Sequence, residues 1–390
     1  MSATIRNPNA GRLAAVILLV LPLAVYTLLY LVPIGSMISL SIDNGELGRS
    51  LQHFSTSDAS DPDARAAALL ADMQEMNGRQ QAESARALNQ EMPGFRSLFI
   101  NTARKAGEVS PDMNGLIGFD ERWADPRYWK ILDNNAGTLT SRHFRRATGL
   151  DFDEHGKLGA YGDDIYLRVM MRTLVIAVQV TLVTLVIGYP LAYAVANGSR
   201  GFANFVLVSI LLSFWTSILV RTTAWVILLQ TSGLVNTTLM ALGIIDEPLQ
   251  LIFNRFGTIV SMTHVLLPFA IIPMMNVMLT IPKSQADASR VLGAGPVETF
   301  IRIYFPQTLR GVMVGGSTVF ILALGFYITP ALTGGPGDQM LSYYIAEFIK
   351  KSLNWGMASA LSVMLLATVL VLVGAAGALN WAASRKRETA

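Results

Sequence analysis

Six long stretches of this chain contain no Asp, Glu, Lys or Arg. A hydrocarbon core about 30 Å thick needs roughly 20 helical residues, so each stretch predicts a membrane-spanning helix. The stretches are Leu13–Leu40, Thr173–Ala196, Phe202–Val220, Gly257–Ile281, Gly311–Leu332 and Met357–Trp381. The first contains Pro22 and Pro33 and is longer than the 7–15 residues typical of a signal-peptide core. We therefore expect it to be retained as a span.

The polar residues concentrate between the first and second spans. Residues 42–165 are rich in Ala and in charged side chains, and Asp61 followed by Pro62 is typical of the start of a helix. Further on, Tyr128 and Trp129 are expected to pack into a core. The pattern predicts an all-α integral membrane protein in three parts: 1–41 (tail and first helix), 42–165 (mostly helical insert) and 166–390 (five-helix core).

Composition supports a membrane protein rather than a soluble one. Of the 390 residues, 52% are hydrophobic and only 15% are charged. Residues 41–165 hold 14 basic and 20 acidic residues, whereas the rest of the chain holds 16 basic and 7 acidic ones. The positive excess therefore lies beside the apolar spans, where basic loops facing the cytoplasm explain it, and nothing favours nucleic-acid binding. With no Cys, disulfides and thiolate chemistry are excluded.

Basic residues near the spans predict the orientation. With the N-terminus inside, the inner segments would carry ten Lys or Arg residues and the outer ones six. Short cytoplasmic loops carry the excess of basic residues. We therefore expect both termini in the cytoplasm and the acidic insert outside.

One polar stretch of the insert imitates a metal site. Asp151, Asp153 and His155 resemble the opening of a calcium loop, but the twelfth position is Gly162 where a bidentate Glu is required. The histidines lack the i, i+4 spacing that places two imidazoles on one helix face. We predict a polar hairpin or turn and no metal.

The loop between the fourth and fifth spans, residues 282–306, has an unusual pattern. Ala286, Ser289 and Gly293 fall on one helix face and expose only small side chains, so another backbone could approach closely. The run from Gly293 to Pro296 ends this helix, and a second short helix is expected before Pro306. From the residues alone, an ordinary connector remains an equal alternative.

This loop resembles the EAA loop of permease subunits in binding-protein-dependent ABC importers. That pattern is Glu-Ala-Ala, three residues, Gly, nine residues, then Ile-x-Leu-Pro; here Asp, Ser and Phe replace Glu, the second Ala and Leu, with the spacing intact. In that family the loop seats in a cleft of the cytoplasmic ATPase and couples its closure to the spans. The resemblance implies coupling roles for Ala286, Asp287, Ala288, Ser289, Leu292, Gly293, Ile303 and Pro306.

The resemblance covers most of the chain after the insert. "GYPLAYAVAN", "LVRTTAWVILL", "LLPFAIIPM" and "VFILALGFYITPALTGG" are similar to segments of spermidine/putrescine-type permeases. It implies a type I importer permease of a bacterial inner membrane that works by alternating access. The implied partners are two ATPase subunits, a second permease subunit (a paralogue or another copy), a periplasmic solute-binding protein and membrane lipid. The chain has no G-x-x-x-x-G-K-[ST] loop, so ATP and Mg²⁺ are expected on the partner ATPase. No cofactor and no enzymatic activity are expected in this chain.

The sequence defines the transported substrate less well than it defines the type of transporter. No predicted span contains a charged residue, which argues against a stand-alone carrier driven by protons or sodium. Polyamines are the leading cargo, and opines, other amino-acid derivatives, aminophosphonates, sulfonates and iron remain alternatives. Candidate pathway residues are the polar and aromatic groups Trp215, Thr216, Arg221, Thr222, Trp225 and Tyr327; each could equally sit at a membrane interface. Arg221 is expected near the outer end of the third span and His264 is expected to be a neutral packing residue.

Overall fold

The computed structural model describes residues 18–152, 158–160 and 163–388. Helices joined by turns and loops make up these residues, with one isolated bridge and one pair of two-residue strands as the extended pairing, which confirms the all-α class. The described part of the chain contains six apolar segments long enough to cross a membrane, as predicted in number. Asp153, His155 and Gly162 lie outside the described residues, as do Arg6 and Arg12; Asp151–Phe152 pairs antiparallel with Leu158–Gly159.

The first helix and the insert form the first half of the element order. It runs α1 (Leu18–Ile42), α2 (Gly45–Ser50), α3 (Gln52–Thr56), α4 (Pro62–Glu75), α5 (Gly78–Glu91), α6 (Phe95–Arg104), α7 (Met113–Phe119), a 3₁₀ turn (Glu121–Ala124), α8 (Pro126–Asn135), α9 (Arg142–Thr148), β1 (Asp151–Phe152) and β2 (Leu158–Gly159). α1 includes a π-helical turn at Thr27–Leu31.

The remaining helices follow the insert. They are α10 (Ile165–Asn197), α11 (Arg200–Trp215), α12 (Ile218–Leu229), α13 (Leu234–Ala241), α14 (Arg255–Leu279), α15 (Lys283–Val291), α16 (Pro296–Gly325), α17 (Ile328–Thr333), a 3₁₀ turn (Pro336–Asp338), α18 (Leu341–Glu347) and α19 (Trp355–Glu388). α18 continues into a π-helical turn at Phe348–Ser352.

The chain divides into two compact units. One comprises Met1–Asp163 with Ser352–Met364, and the other comprises Asp164–Lys351 with Leu365–Ala390. The boundary after the insert falls at Asp163, and α19 begins in the first unit and continues in the second. The three-part division expected from the sequence remains a prediction.

The insert has a hydrophobic core of its own. Asp61 caps α4 by accepting hydrogen bonds from the first-turn amides, as predicted. Tyr128 and Trp129 are 7% and 9% exposed, which confirms them as core anchors. The indole of Trp129 donates to the Trp123 carbonyl at 2.8 Å, and the Trp123 indole donates to the Thr102 hydroxyl at 3.1 Å. These bonds satisfy the polar ends of rings that are otherwise buried among apolar side chains.

The chain enters and leaves this core at one narrow neck. The Thr140 amide donates to the Ile42 carbonyl at 2.7 Å, and the Asn44 amide donates to the Thr138 carbonyl at 3.0 Å. Asp43 and Leu139 form an antiparallel bridge between them. Every buried member of the insert core, from Leu47 to Ala136, lies between these paired strands.

The core of the second unit is made by α10, α14 and α16, which pack directly on one another. Glycines on α16 allow the close approach. A Cβ at Gly311 would lie 3.0 Å from the Met274 Cα, and a Cβ at Gly315 would lie 2.9 Å from the Ala270 carbonyl oxygen. Small residues at such positions let two membrane helices approach backbone to backbone.

The predicted third span is wrong in its boundaries. α11 ends at Trp215, Thr216 and Ser217 adopt extended conformations, and α12 then begins. Arg221 lies on α12, within an apolar segment that reaches Ala241. The expectation that no span contains a charged residue is therefore also wrong. No Pro or Gly marks the break.

The predicted fifth span is shifted as well. One uninterrupted helix, α16, runs from Pro296 to Gly325, so the expected separate short helix before Pro306 is the first part of the span itself. The helix then stops at Phe326, whose backbone is extended, and Ile328–Thr333 forms a separate short helix.

Candidate functional site

The loop predicted to couple to an ATPase is a helix, a tight turn and the start of α16. α15 ends with Gly293 in the left-handed region, at a φ of +89°. The Gly293 amide donates to the Arg290 carbonyl at 2.9 Å, and the Ala294 amide donates to the Ser289 carbonyl at 3.1 Å. This is the usual glycine ending of a helix, and a side chain at this φ is strained. The predicted helix end is confirmed, with a conformational reason for its glycine.

A buried hydroxyl pair holds α15 against α16. The Ser289 and Thr299 hydroxyls lie 3.0 Å apart, and the two residues are 9% and 4% exposed. Ser289, the middle residue of the small-residue face, therefore packs on the chain's own α16, because the turn at Gly293 folds the two helices onto each other; Ala286 is half-buried and Gly293 is exposed. The expected role of this face as a contact for another protein stays a prediction.

The opposite face of the loop is apolar and exposed. Val291 and Leu292 are each 87% exposed, Val297 is 71% exposed and Ile301 is 56% exposed. Asp287 and Ala288 are exposed as well. The spacing had singled out Leu292 but not Val291, Val297 or Ile301, because their exposure depends on how the two helices fold together.

A π-helical turn at Phe300–Tyr304 separates the loop end of α16 from the rest of that helix. Pro306 lies two residues after the end of this turn. It lacks the amide N–H that would bond to the carbonyl four residues earlier, and its ring would clash with that carbonyl. The widened turn relieves this conflict, since the Phe305 amide donates instead to the Phe300 carbonyl. Pro306 thus distorts the helix without ending it, and Ile303 lies within the widened turn.

Aromatic side chains connect this turn to the end of α10. The rings of Tyr193 and Tyr304 are 5.4 Å apart edge to face, and the amide of Asn197 donates to the Tyr304 hydroxyl at 2.7 Å. A cavity of about 280 Å³ lies between these side chains and α15. Its polar lining includes Asp287 and Arg290, which form an exposed ion pair at 3.6 Å.

The candidate pathway residues are only partly brought together. Thr222 is buried, and its hydroxyl lies 3.1 Å from that of Thr329 on α17. Trp225 contacts α14. Trp215 is 79% exposed at the end of α11 and Thr216 is exposed in the break, so neither belongs to that cluster. Tyr327 is half-buried beside the ammonium of Lys350.

His264 on α14 links both sides of the break. The Trp225 indole donates to its Nδ1 at 3.1 Å, and its Nε2 lies 3.4 Å from the Ser213 hydroxyl on α11. An indole can only donate, so Nδ1 accepts and the neutral ring carries its proton on Nε2. The predicted role as a hydrogen-bonded packing residue agrees with this geometry.

Arg221 is the unexpected member of this cluster. It is 8% exposed, and its Nη1 donates to the Val265 carbonyl at 3.4 Å. Its Nε has no partner among the described residues. Pro268 on α14 has no amide N–H to donate to the His264 carbonyl. One helix hydrogen bond is therefore missing next to the Val265 carbonyl that Arg221 contacts. Arg221 is therefore an internal polar contact near the start of the apolar segment Ile218–Ala241. Its expected position at the outer end of a span stays a prediction.

Comparison with known proteins identifies the family. Residues 184–385 match the family described as the binding-protein-dependent transport system inner membrane component. The chain belongs to this family. PotB of Escherichia coli strain K12, a spermidine/putrescine transport system permease protein, is 31% identical over 57% of this chain and 80% of its own length. YdcU of the same strain, an inner membrane ABC transporter permease protein, is 30% identical over 54% of this chain and 72% of its own length.

Among solved structures, a bacterial ABC transporter that imports the polysaccharide alginate matches 62% of this chain and 82% of that chain, with a TM-score of 0.46 and 18% identity. Membership of the inner membrane component family makes this protein a multi-pass inner-membrane permease subunit of a binding-protein-dependent ABC importer. It is a transport subunit and not an enzyme. ATP hydrolysis belongs to a separate subunit.

The described residues contain no group of three or more His, Asp or Glu side chains that could hold a metal ion. The candidate functional features in the described part of the chain are the predicted coupling loop (residues 282–306) and the polar cluster around His264.

Proposed function

We propose that this permease carries a polyamine of the spermidine/putrescine type from a periplasmic binding protein to the cytoplasm. The likeness to PotB over 80% of that relative supports the cargo class. In the described part of α10, α12, α14 and α16 the one carboxylate is that of Glu298, at the loop end of α16, where it pairs with Arg302 at 2.9 Å. The remaining turns of these helices offer no carboxylate to neutralise a polycation. High-affinity selection therefore belongs to the binding protein, and the permease supplies a weak, transient path.

The uninterrupted helix from Pro296 to Gly325 carries the coupling proposal. Its first turns belong to the coupling loop, and its remaining turns belong to the membrane core. The Ser289–Thr299 pair and the hydrogen bond from Gln307 to Gln285, 2.7 Å long, tie α15 to it. A displacement of α15 by an ATPase is thus passed to the spans without crossing a flexible joint.

The exposed apolar face of the loop is the proposed ATPase contact. Leu292, Val291, Val297 and Ile301 form it, with Asp287 and Ala288 beside them. Ala286, Ser289 and Gly293 shape the loop from within, while Ile303 and Pro306 set the widened turn. Large exposed apolar patches outside a membrane mark contact sites for other proteins.

The complete importer requires further subunits. One coupling loop per chain implies a second permease subunit, either a paralogue or another copy, and two ATPase subunits that hold ATP and Mg²⁺. The excess of basic residues in the segments predicted to be inner supports a cytoplasmic position for the loop and both termini. The insert then faces the periplasm. ATP-driven closure of the ATPase pair moves the coupling loops, and the paired spans open outward to receive cargo.

Uptake measurements test the cargo. Labelled putrescine and spermidine uptake would be compared in a strain lacking this gene, with and without the wild-type chain, and with unlabelled opines, phosphonates and sulfonates as competitors. Restored polyamine uptake that these competitors do not suppress is expected. Absence of polyamine uptake in both strains would reject the cargo class and leave the importer family unaffected.

Replacement of Leu292 by Asp tests the ATPase contact. We expect Leu292→Asp to remain in the membrane but to lose co-purification of the ATPase, because a charge would enter an apolar contact. Leu292→Met keeps the apolar surface and should retain the ATPase. Equal recovery of the ATPase with both variants would contradict this assignment.

The buried Arg221 favours a second candidate, an anionic or zwitterionic cargo such as an aminophosphonate. Arg221 is buried in an apolar segment, and no carboxylate among the described residues pairs with it. Burial of an unpaired guanidinium is costly, and an anionic group of the cargo would offset that cost. If this candidate is correct, the wild-type chain restores aminophosphonate uptake in the strain lacking the gene, and Arg221→Met does not restore it.

A further inference from the structure

Leu353 has a strained backbone at the point where the last membrane helix begins. Its φ is +49°, in the left-handed region that L-residues disfavour, and its side chain is 54% exposed. It directly follows the π-helical turn Phe348–Ser352. Chains often leave a helix through a residue in this conformation, but that residue is usually Gly. Because the Leu353 side chain is largely exposed, its own packing does not account for the conformation.

Side chains of the insert helix α5 hold both neighbours of Leu353. The Arg86 guanidinium donates to the Ser352 carbonyl, and the side-chain amide of Asn354 donates to the Gln90 Oε1 at 2.8 Å. Arg86 and Gln90 are four residues apart, so they lie on one face of α5. Strained backbone persists where the surrounding contacts over-determine it. These two contacts, one on each side of the strained residue, supply that restraint.

The same junction starts α19. The Met357 amide donates to the Asn354 side-chain oxygen at 3.0 Å, and the Ala358 amide donates to the Asn354 carbonyl at 3.1 Å. Asn354 is therefore the N-cap of α19, while its side-chain NH₂ group is bound to the insert. In the first turn, Gly356 lies so close to His143 of α9 that a Cβ would overlap the imidazole. The start of α19 is thus fixed against the insert at several points.

α19 connects this junction to the membrane core. Ser352–Met364 belongs to the same compact unit as the insert, and the helix continues beyond Met364 into the other unit. There, Leu365 and Val369 pack against the core made by α10, α14 and α16. A displacement at the start of this helix is therefore carried to residues that touch the membrane core.

We propose that the insert acts as a clamp on the last membrane helix: Arg86 and Gln90 hold Leu353 in its strained bend and so fix the start of α19 for transport. The role does not depend on the identity of the cargo. Without the clamp, Leu353 relaxes to an ordinary backbone conformation and the start of α19 shifts. The insert thereby controls a helix that packs on the membrane core.

The test measures hydrogen exchange of the amides in the first turns of α19, in the importer assembled with its ATPase and second permease subunit. The clamp variant, Arg86→Ala with Gln90→Ala, should raise their exchange rate roughly tenfold, the size expected from the loss of two hydrogen bonds. Leu353→Gly alone should leave the rate near the wild-type value, because Gly adopts this φ without strain. In the Leu353→Gly background the clamp variant should have little effect, since the bend no longer needs to be held.

A matched control separates the clamp from a general change on α5. Arg79 lies on the same helix and donates to Glu83 at 2.7 Å, so Arg79→Ala also removes a bonded arginine and should leave the exchange of α19 unchanged. An equal rise in exchange with and without Leu353→Gly would show that the contacts add stability without holding a strained bend. That result would overturn the inference.

Uptake of labelled putrescine, normalised to the amount of permease in the membrane, measures the consequence for transport. The clamp variant should lose uptake, and Leu353→Gly should restore it, because the glycine forms the bend unaided. Unchanged uptake in the clamp variant would reject the role in transport. If the wild-type importer takes up no putrescine, the proposed cargo fails, and the exchange measurement still decides on the clamp because it involves no cargo.

Discussion

Two single residues impose constraints that can be tested directly. The first is Gly293, which constrains the backbone conformation of the loop. Its φ of +89° makes any side chain costly, although a Cβ there would meet no atom within 4 Å. Gly295 has an equally open surrounding but an ordinary negative φ of −67°. The two glycines therefore separate backbone conformation from steric contact.

We expect Gly293→Ala to reduce transport and Gly295→Ala to leave it near the wild-type level. The left-handed conformation costs a non-glycine residue about 1–2 kcal/mol, which favours an altered turn and a displaced α15. Uptake normalised to the amount of permease in the membrane measures the difference. Equal loss in both variants would show that the loop needs small residues for contact and not for conformation.

His143 on α9 supplies a pH-dependent contact outside the spans. It is 5% exposed, and a Cβ at Gly356, at the start of α19, would overlap its imidazole. Burial, followed by the charges of Arg142 and Arg146, lowers the pKa of His143 from 6.5 to about 4. The unfolded chain therefore binds this proton more readily than the folded one. The contribution to stability is full above pH 6.5 and is lost as the pH falls from 6.5 towards 4.

We expect the unfolding temperature of the purified protein to fall between pH 7 and pH 4.5 more steeply in the wild type than in His143→Gln. Full protonation of this site would cost on the order of 3 kcal/mol. Gln keeps a polar side chain without a titrating group. Parallel pH profiles of the two proteins would rule out His143 as the source of the acid sensitivity.

At the scale of elements, the hydroxyl pair of Ser289 and Thr299 is the contact that makes α15 and α16 move together. Ser289→Ala or Thr299→Val removes one hydroxyl and leaves the other buried without its partner. The loss of stability is about 1–3 kcal/mol. The double variant removes both polar groups. We expect it to lose less transport than the two single losses combined, and a double-mutant cycle measures this. Additive losses would mean that the hydroxyls act independently.

At the scale of the whole molecule, we expect the insert to be separable from the membrane helices. Its buried core lies within 45–137, and the flanking strands are already hydrogen-bonded to each other at the neck. Cutting farther along, at Asp58, would instead divide this core, because Leu47, Leu51 and Phe54 belong to it.

We expect replacement of residues 45–137 by Asn-Gly to leave the protein inserted in the membrane. Two residues that favour a tight hairpin turn connect paired antiparallel strands, and the spans carry their own insertion signals. Membrane fractionation and protease accessibility measure the result. A matched deletion that starts at Asp58 leaves part of the insert core behind and exposes it. We therefore expect less of that variant in the membrane fraction. Failure of the 45–137 variant to insert would make the insert part of the membrane fold.

The coupling role of residues 282–306 rests on a family resemblance and stays a prediction. The sequence alone determined the all-α class of this protein, the number of apolar segments and the helix end at Gly293. These features follow from composition and local spacing: runs long enough to cross a bilayer, a capping Asp61, and a glycine where a helix must turn back. Tyr128 and Trp129 could be assigned to a core for the same reason, since large apolar rings leave water wherever packing allows it.

Only the tertiary structure decided what the local patterns leave open. The face of α15 that carries Ser289 is internal because Thr299 packs on it, and the helix beyond Pro306 continues because a π turn absorbs the missing amide. The break at Thr216 has no sequence signal, and it places Arg221 beside Val265 and His264. Each of these outcomes depends on partners that are distant along the chain or on compensation between neighbouring turns, and hydrophobic spacing encodes neither.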